Sequence, residues 1–333
     1  MTPREIVKEK VFGFQEIHPV PYHMWIDPDV QKRLDEHYGG PQWKDRMITY
    51  IDGGHWTGEH GGTGLPNGLT RSPYGFIYKS GNILHVEEVA LKTPTMDGYV
   101  WPKAESLADW ENLRRDYGAS EAFRFCGMCY GFFERVIFMR GMENVLMDMI
   151  EHPQFVHDLM DGYLRLRLEL IDLIIDRIPL EAICDGGDDC GQRGPIMGLP
   201  KWQEFIKPRL KAVIDHVHGK GLPVIAHMCG NVRPLVDDLL EIRLDALESL
   251  QPEAMDIYEL KQKTVGKMVL IGGMGTQRML PRGAPEEIRA ETKKMCHQMG
   301  AGGGYILGPA KPLMPDVPTE NAVAFIEAVL NQG

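Results

Sequence analysis

From residue 153 onward the chain alternates two patterns. Long segments carry apolar side chains near helical spacing, and short runs between them are almost wholly apolar. Pro153 to Arg177 places Leu159, Tyr163, Leu166 and Leu170 on one helical stripe. Ala182 to Asp185 is a short strand that leads into the loop Gly186 to Leu199. Pro200 to Lys220 starts at a proline and stops at Gly221, the start and stop chemistry of a helix. The alternation continues with a strand at Val224–His227, a helix at Val232–Leu240, a strand at Asp245–Leu250 and a helix at Asp256–Thr264. Met268–Gly272 (strand), Pro285–Met299 (helix), Gly304–Leu307 (strand) and Pro318–Asn331 (helix) complete it. Strand–helix alternation at this interval predicts parallel βα units, and strands that are apolar throughout predict a sheet buried on both faces.

The first half is less regular. Val20–Ile26 and Ile48–Ile51 read as strands, and Gly53–Leu69, rich in glycine and histidine, as a loop. Phe76–Thr93 reads as a hairpin insertion turning at Ser80-Gly81-Asn82, Glu105–Tyr117 as a helix and Ala122–Cys126 as a strand. With strands centred on Val20, Ile48, Phe123, Ile183, Val224, Ala246, Val269 and Tyr305, the fold class expected is α/β. It is a (β/α)8 TIM barrel, one domain over residues 1–333 with an N-terminal extension and the hairpin insertion. The open doubly wound sheet lacks support in its dinucleotide form: no G-x-G-x-x-G follows a first strand, and Gly302-Gly303-Gly304 precedes a strand rather than a helix.

Composition narrows the partners. The 333 residues are 43% hydrophobic and 25% charged, with a net charge of −11. That balance argues against nucleic acid or an anionic membrane, which demand a basic face. Arg114-Arg115 and Lys293-Lys294 are short enough to lie on solvated helix faces. No segment reaches the roughly 20 apolar residues of a membrane span, and Met1–Lys10 is charged and reads as an opening helix, so a cytoplasmic location is expected. Six cysteines in a chain of this length are free thiols or ligands rather than a disulfide framework.

In a barrel of this kind the chemistry sits at the C-terminal ends of the strands. The most informative end is His227-Met228-Cys229-Gly230-Asn231. Residues i and i+2 of a strand share a face, so His227 and Cys229 project together and offer nitrogen and sulfur, the donors zinc favours. The alternative is a packed histidine beside an inert buried thiol. Other strand ends add Trp25 and Asp27; Cys126 and Cys129; Cys184, Asp185, Asp188, Asp189 and Cys190; Glu248 and Gln251; and Lys311. Cys126-x-x-Cys129 has no second C-x-x-C to complete a metal site. Asp188-Asp189 could equally cap the helix that follows, and Glu134-Arg135 with Arg140 reads as a structural ion pair on a helix. Met24, Met128, Met228 and Met274 lie near strand ends and could line an apolar pocket.

A wider set of motifs resembles the uroporphyrinogen decarboxylase superfamily. It comprises Asp188-Asp189-Cys190-Gly191-Gln192, Pro200-x-Trp202, Pro208-Arg209-Leu210 and His227 to Asn231. Gly272-Gly273-Met274, Gly302 to Leu307 and Pro315-Asp316-Val317-Pro318-x-Glu320-Asn321 belong to it too. The resemblance covers most of residues 120–330 and implies a (β/α)8 barrel. The decarboxylases of that superfamily carry an N-terminal R-Q-A-G-R segment that grips substrate carboxylates; here His18 to Asp27 contains no arginine. The corrinoid-dependent methyltransferase branch, which includes O-demethylases of methoxylated aromatics, resembles this chain in the H-x-C pair that holds zinc. Its thiol-alkylating members carry a third ligand, a cysteine, after the last strand, where this chain has Gly308-Pro-Ala-Lys311. The resemblance therefore implies transfer of a methyl group from a small aryl methyl ether to the Co(I) of a partner corrinoid protein. Zinc is expected on His227, Cys229 and Glu248, and cobalamin is carried by the partner. Asp188 or Asp189, raised by burial, is the expected acid, and Tyr22, Trp25, Met128, Phe132, Asn231 and Met274 are the expected substrate contacts. A metal-free decarboxylase or lyase of the same superfamily is the alternative.

Overall fold

In the structure, a computed structural model, all residues are described except 54, 55, 59, 80–83, 119, 129 and 333. Its centre is a curled, wholly parallel sheet. Ile51–Asp52, Phe123–Met128, Ala182–Gly186, Val224–His227, Ala246–Leu250, Val269–Met274 and Tyr305–Pro309 follow one another across it, and Trp56–Thr57 adds to the Phe123–Met128 strand. Every residue of the Phe123–Met128, Ala182–Gly186, Ala246–Leu250, Val269–Met274 and Tyr305–Pro309 strands is buried. Helices cover the outer face, as the unbroken apolar runs require.

The second half follows its sequence pattern closely. The long helix runs Pro153–Arg177 and buries Leu159, Tyr163, Leu166 and Leu170. Asp256 caps Ile257–Thr264 by accepting from the backbone N–H groups of Tyr258 and Glu259. The helix expected from Pro200 begins at Leu199 and passes through a π-helical stretch at Trp202–Ile206 before Lys207–Gly219.

The first half departs from its pattern in three places. Val20–Ile26 is not a continuous strand: isolated parallel bridges join Tyr22 to Leu307 of the last strand and Ile26 to Leu313 in the segment after it. Pro19 and Pro21 remove the donors that a longer ladder would need. The strand expected at Ile48–Ile51 is displaced to Ile51–Asp52, because Ile48 spends its N–H on the Tyr22 hydroxyl, 2.7 Å away. Within the expected Gly53–Leu69 loop, Thr63–Gly64 is a strand. It pairs with Leu69–Arg71, which continues into Ile77–Lys79 and His85–Glu88 as a four-stranded antiparallel insertion. Strands of two or three residues are too short to show alternation. The expected turn at Ser80-Gly81-Asn82 lies outside the described residues.

Two details of register position the site. His227 stands beside Glu248 on one neighbouring strand and beside Gly186 on the other. The ladder between Ala246–Leu250 and Val269–Met274 then slips between Glu248 and Leu250. The intervening residue, Ser249, has φ +77, a left-handed backbone that a non-glycine residue adopts at a cost of about 1–3 kcal/mol.

Candidate metal and substrate site

His227 Nδ1 donates to the Glu248 carboxylate in a short hydrogen bond. A carboxylate only accepts, so this contact fixes the proton on Nδ1 and turns Nε2 toward the sheet rim. There Cys229 Sγ lies 3.4 Å from Nε2, and Asp188 Oδ1 lies 3.9 Å from it. One donor atom each from Asp188, His227 and Cys229 falls within 4.8 Å of the others. Asp188 Oδ1 is buried and has no hydrogen-bond partner. Nitrogen, sulfur and an unpaired carboxylate oxygen converging on one point fit a catalytic zinc site, with three protein ligands and an open fourth position.

The bulge at Ser249 serves the same corner. Its hydroxyl donates to the Ala310 carbonyl at 2.6 Å and lies 3.4 Å from Cys229 Sγ. Gly230 N–H donates to Gln251 Oε1 at 3.0 Å. The loop after the last strand is thereby tied to the thiol, and Lys311 follows directly. Burial pulls its ammonium toward neutrality, but Cys229, Asp188 and Glu134 outweigh that and hold its pKa above the ordinary lysine value. It stays a cation beside the cluster and is no ligand. Burial likewise opposes protonation of His227, yet Glu248 and Cys229 hold its pKa well above the usual imidazole range. A metal would therefore have to displace the Nε2 proton.

Glu248, expected as the third zinc ligand, is placed differently. It engages the ring nitrogen opposite the one that faces Cys229 and Asp188. Adjacent parallel strands bring it side by side with His227, so its carboxylate meets the near nitrogen. Such a carboxylate–histidine contact orients a ligand and raises its basicity. Replacing Glu248 by Gln is expected to weaken zinc affinity about 10–100-fold in competition with a chromophoric chelator; an unchanged affinity would count against this positioning.

The paired aspartates part company. Asp188 stays at the rim. Asp189 is 2% exposed, and its Oδ2 accepts from Trp202 Nε1 at 2.9 Å. Burial pushes its carboxyl up to about 7, with the Glu134, Asp185 and Asp188 charges adding to the effect. Its other oxygen, Oδ1, is buried without a hydrogen-bond partner. Glu134 accepts from the backbone N–H groups of Gly131 and Asp188, each at 3.1 Å. It thereby pins the Asp188 loop, while Arg140 pairs with Asp148 at 2.8 Å. Arg167 and Asp185 form a fully buried ion pair beneath this loop, and Arg167 also donates to the Tyr130 carbonyl at 2.8 Å.

The expected substrate contacts fall into separate places. Tyr22 and Trp25 line a cavity of about 200 Å3 with His23, Tyr50 and Asp52. Phe132 lies with Asp185 and Asp189 around a much smaller space, about 10 Å3. Met128 and Met274 are 2% and 0% exposed and pack in the core. Asn231 turns its Oδ1 to the Arg233 N–H at 3.2 Å, starting the next helical turn. Of the Cys126-x-x-Cys129 pair, Cys129 lies outside the described residues; Cys126 is sealed in the core, and burial pushes its thiol up to about 12. Asp27 caps Pro28–Tyr38.

Two residues of this region carry no sequence signal strong enough to find them. Ser249 is a lone hydroxyl in an apolar strand, and His23 lies between prolines and aromatics. His23 is 9% exposed, and burial pushes its imidazole down to about 4 against the Glu248 and Asp52 charges. Between pH 6.5 and about 4 the unfolded chain takes up a proton that the folded chain refuses. Stability is therefore expected to fall as pH drops through that window, by on the order of 3 kcal/mol from this group. Urea midpoints of wild type and His23→Phe should diverge below pH 6.5; parallel curves would contradict this.

Comparison with known proteins follows the same ground. The family model described as uroporphyrinogen decarboxylase (URO-D) matches residues 113–332. Uroporphyrinogen decarboxylase of Azotobacter vinelandii is 27% identical over 146 residues, which span 41% of this chain and 38% of that protein. The Pseudomonas syringae pv. tomato enzyme is 30% identical over 140 residues, with the same coverage. The matched segment thus spans well under half the length of these curated relatives. Among solved structures, a methyltransferase from Methanosarcina mazei superposes with a TM-score of 0.74 over 99% of this chain and 98% of its own, at 16% identity. That likeness shows a shared fold.

Proposed function

We propose, given that the chain belongs to the uroporphyrinogen decarboxylase (URO-D) family, that it is a methyltransferase. It takes the methyl group of a small aryl methyl ether and delivers it to a partner corrinoid protein. The observation that carries this reading is the convergence of His227 Nε2, Cys229 Sγ and the unpaired Asp188 Oδ1 at the sheet rim. The full-length likeness to the Methanosarcina mazei methyltransferase supports it. The same reading takes residues 1–333 as one (β/α)8 domain, with Tyr22–Leu307 and Ile26–Leu313 as its closing contacts.

The reaction breaks the C–O bond of the ether. The methyl carbon passes to the acceptor carried by the partner, and the oxygen keeps the electron pair as a phenolate. The leaving oxygen is the difficulty, and zinc held by Asp188, His227 and Cys229 would supply a Lewis acid for it. The chain's own residues prepare that point. Glu248 fixes the His227 tautomer, Ser249 and the Ala310 carbonyl hold the thiol, and Glu134 holds the Asp188 loop. Lys311 keeps a cation beside the cluster, where it offers the phenolate a charge-assisted donor. Asp188 serves as a ligand, and Asp189, hydrogen-bonded to Trp202, serves the loop rather than proton transfer.

A decarboxylase reading draws on the names of the curated relatives. Against it stands the His18–Asp27 segment, which offers no arginine to a polycarboxylate. The test is to incubate the purified, zinc-analysed protein with guaiacol and reduced cobalamin, and separately with uroporphyrinogen. Catechol formation with no decarboxylation is the expected result; decarboxylation without demethylation would replace this reading with the other.

A further inference from the structure

The cavity beside the first bridge departs from a plain core void. It lies between the Tyr22–Trp25 segment and Met47–Asp52, where the central sheet has no continuous ladder. At about 200 Å3 it falls below the roughly 300–1,000 Å3 of drug-sized ligand sites, so it suits a molecule of one ring. Its walls are aromatic: Tyr22 and Tyr50 meet edge to face at 5.4 Å between centroids, and Trp25 sits edge-on to His23 at 4.3 Å. Tyr22 Oη is already engaged as the acceptor of the Ile48 N–H.

Among the described residues of this lining, His23 keeps a buried polar atom without a partner. His23 is more than nine-tenths buried, and its Nε2 has no hydrogen-bond partner. A buried ring nitrogen without a partner has lost its water without replacement, and a partner from a ligand would recover that loss. Glu248 acts on His23 electrostatically and is the same carboxylate that orients His227, so the cavity neighbours the rim cluster. We infer that this cavity is the subsite for a single aromatic ring bearing an oxygen substituent, and that His23 selects for that oxygen by pairing its Nε2 with it. The inference deepens the proposed methyl-ether chemistry and rests on it for the identity of the ring. Discrimination follows from leaving the nitrogen unpaired: an analogue without the oxygen fills the walls and strands Nε2 again.

The experiment measures binding alone, by calorimetry or ligand-observed NMR, with no corrinoid present. Guaiacol, phenol and toluene are titrated into wild type, His23→Leu and His23→Asn. Wild type is expected to bind guaiacol and phenol at least about tenfold more tightly than toluene. His23→Leu is expected to bind toluene at least as well as wild type while losing the preference, which shows the cavity intact. His23→Asn, which keeps a polar partner, should retain part of it. An unchanged preference in His23→Leu overturns the assignment, as does wild type that binds none of the three at millimolar concentration. Because the readout is ring binding with no corrinoid present, failure of the subsite and failure of methyl transfer are read separately.

Discussion

Replacing Cys229 by Ala is expected to abolish zinc retention and methyl transfer together. The substitution removes the one sulfur donor of the cluster and leaves His227 Nε2 and Asp188 Oδ1 facing each other at 3.9 Å. Two ligands do not hold a catalytic zinc in which three protein donors normally share the work. The fold should survive, because Cys229 stands at a rim and its loss leaves in place the Gly230 N–H to Gln251 Oε1 bond and the Met228 N–H to Glu248 carbonyl bond. Unaltered circular dichroism with zinc below about one-tenth of an equivalent, and no demethylation above the free-cobalamin background, is the expected pattern. Full activity in a zinc-free Cys229→Ala protein would refute the metal's role.

The second large effect is on stability. Arg167→Met is expected to destabilise the fold by about 3–5 kcal/mol, because it strands the Asp185 carboxylate at 4% exposure. The cost goes beyond the pair: Arg167 also donates to the Tyr130 carbonyl at 2.8 Å, where Tyr130 holds a left-handed backbone with φ +57. Arg167 and Asp185 should therefore be strongly coupled in a double-mutant cycle. Arg167→Met with Asp185→Leu should recover part of the loss, since apolar groups in place of a buried pair remove the uncompensated charge. Urea denaturation measures this directly; a single variant within about 1 kcal/mol of wild type would show the pair to be dispensable.

Much of this was legible in the chain. The second-half alternation fixes the helices and strands because each apolar run is buried on both faces, a pattern that leaves little else for residues such as Ala246–Leu250 to be. The i, i+2 spacing of His227 and Cys229 predicts their proximity because a strand has period two. What the chain did not disclose depends on register between strands distant in sequence. Glu248 and His227 are neighbours, but which ring nitrogen the carboxylate meets follows from strand pairing. Asp188 and Asp189 are adjacent in sequence and opposite in exposure, which only the path of the loop over Trp202 and Glu134 decides. The N-terminal segment departs from a strand for a local reason: prolines at 19 and 21 leave apolar residues in place but withdraw the N–H groups a strand needs.

The central claim is that one metal ion is held by a sulfur from Cys229, a nitrogen from His227 and an oxygen from Asp188. X-ray absorption at the zinc edge of the purified protein tests it most directly. One sulfur at about 2.3 Å with nitrogen and oxygen neighbours at about 2.0–2.2 Å, the sulfur shell vanishing in Cys229→Ala, is the expected result. Zinc-loaded protein whose first shell contains no sulfur, or protein that binds no zinc at all, would contradict it.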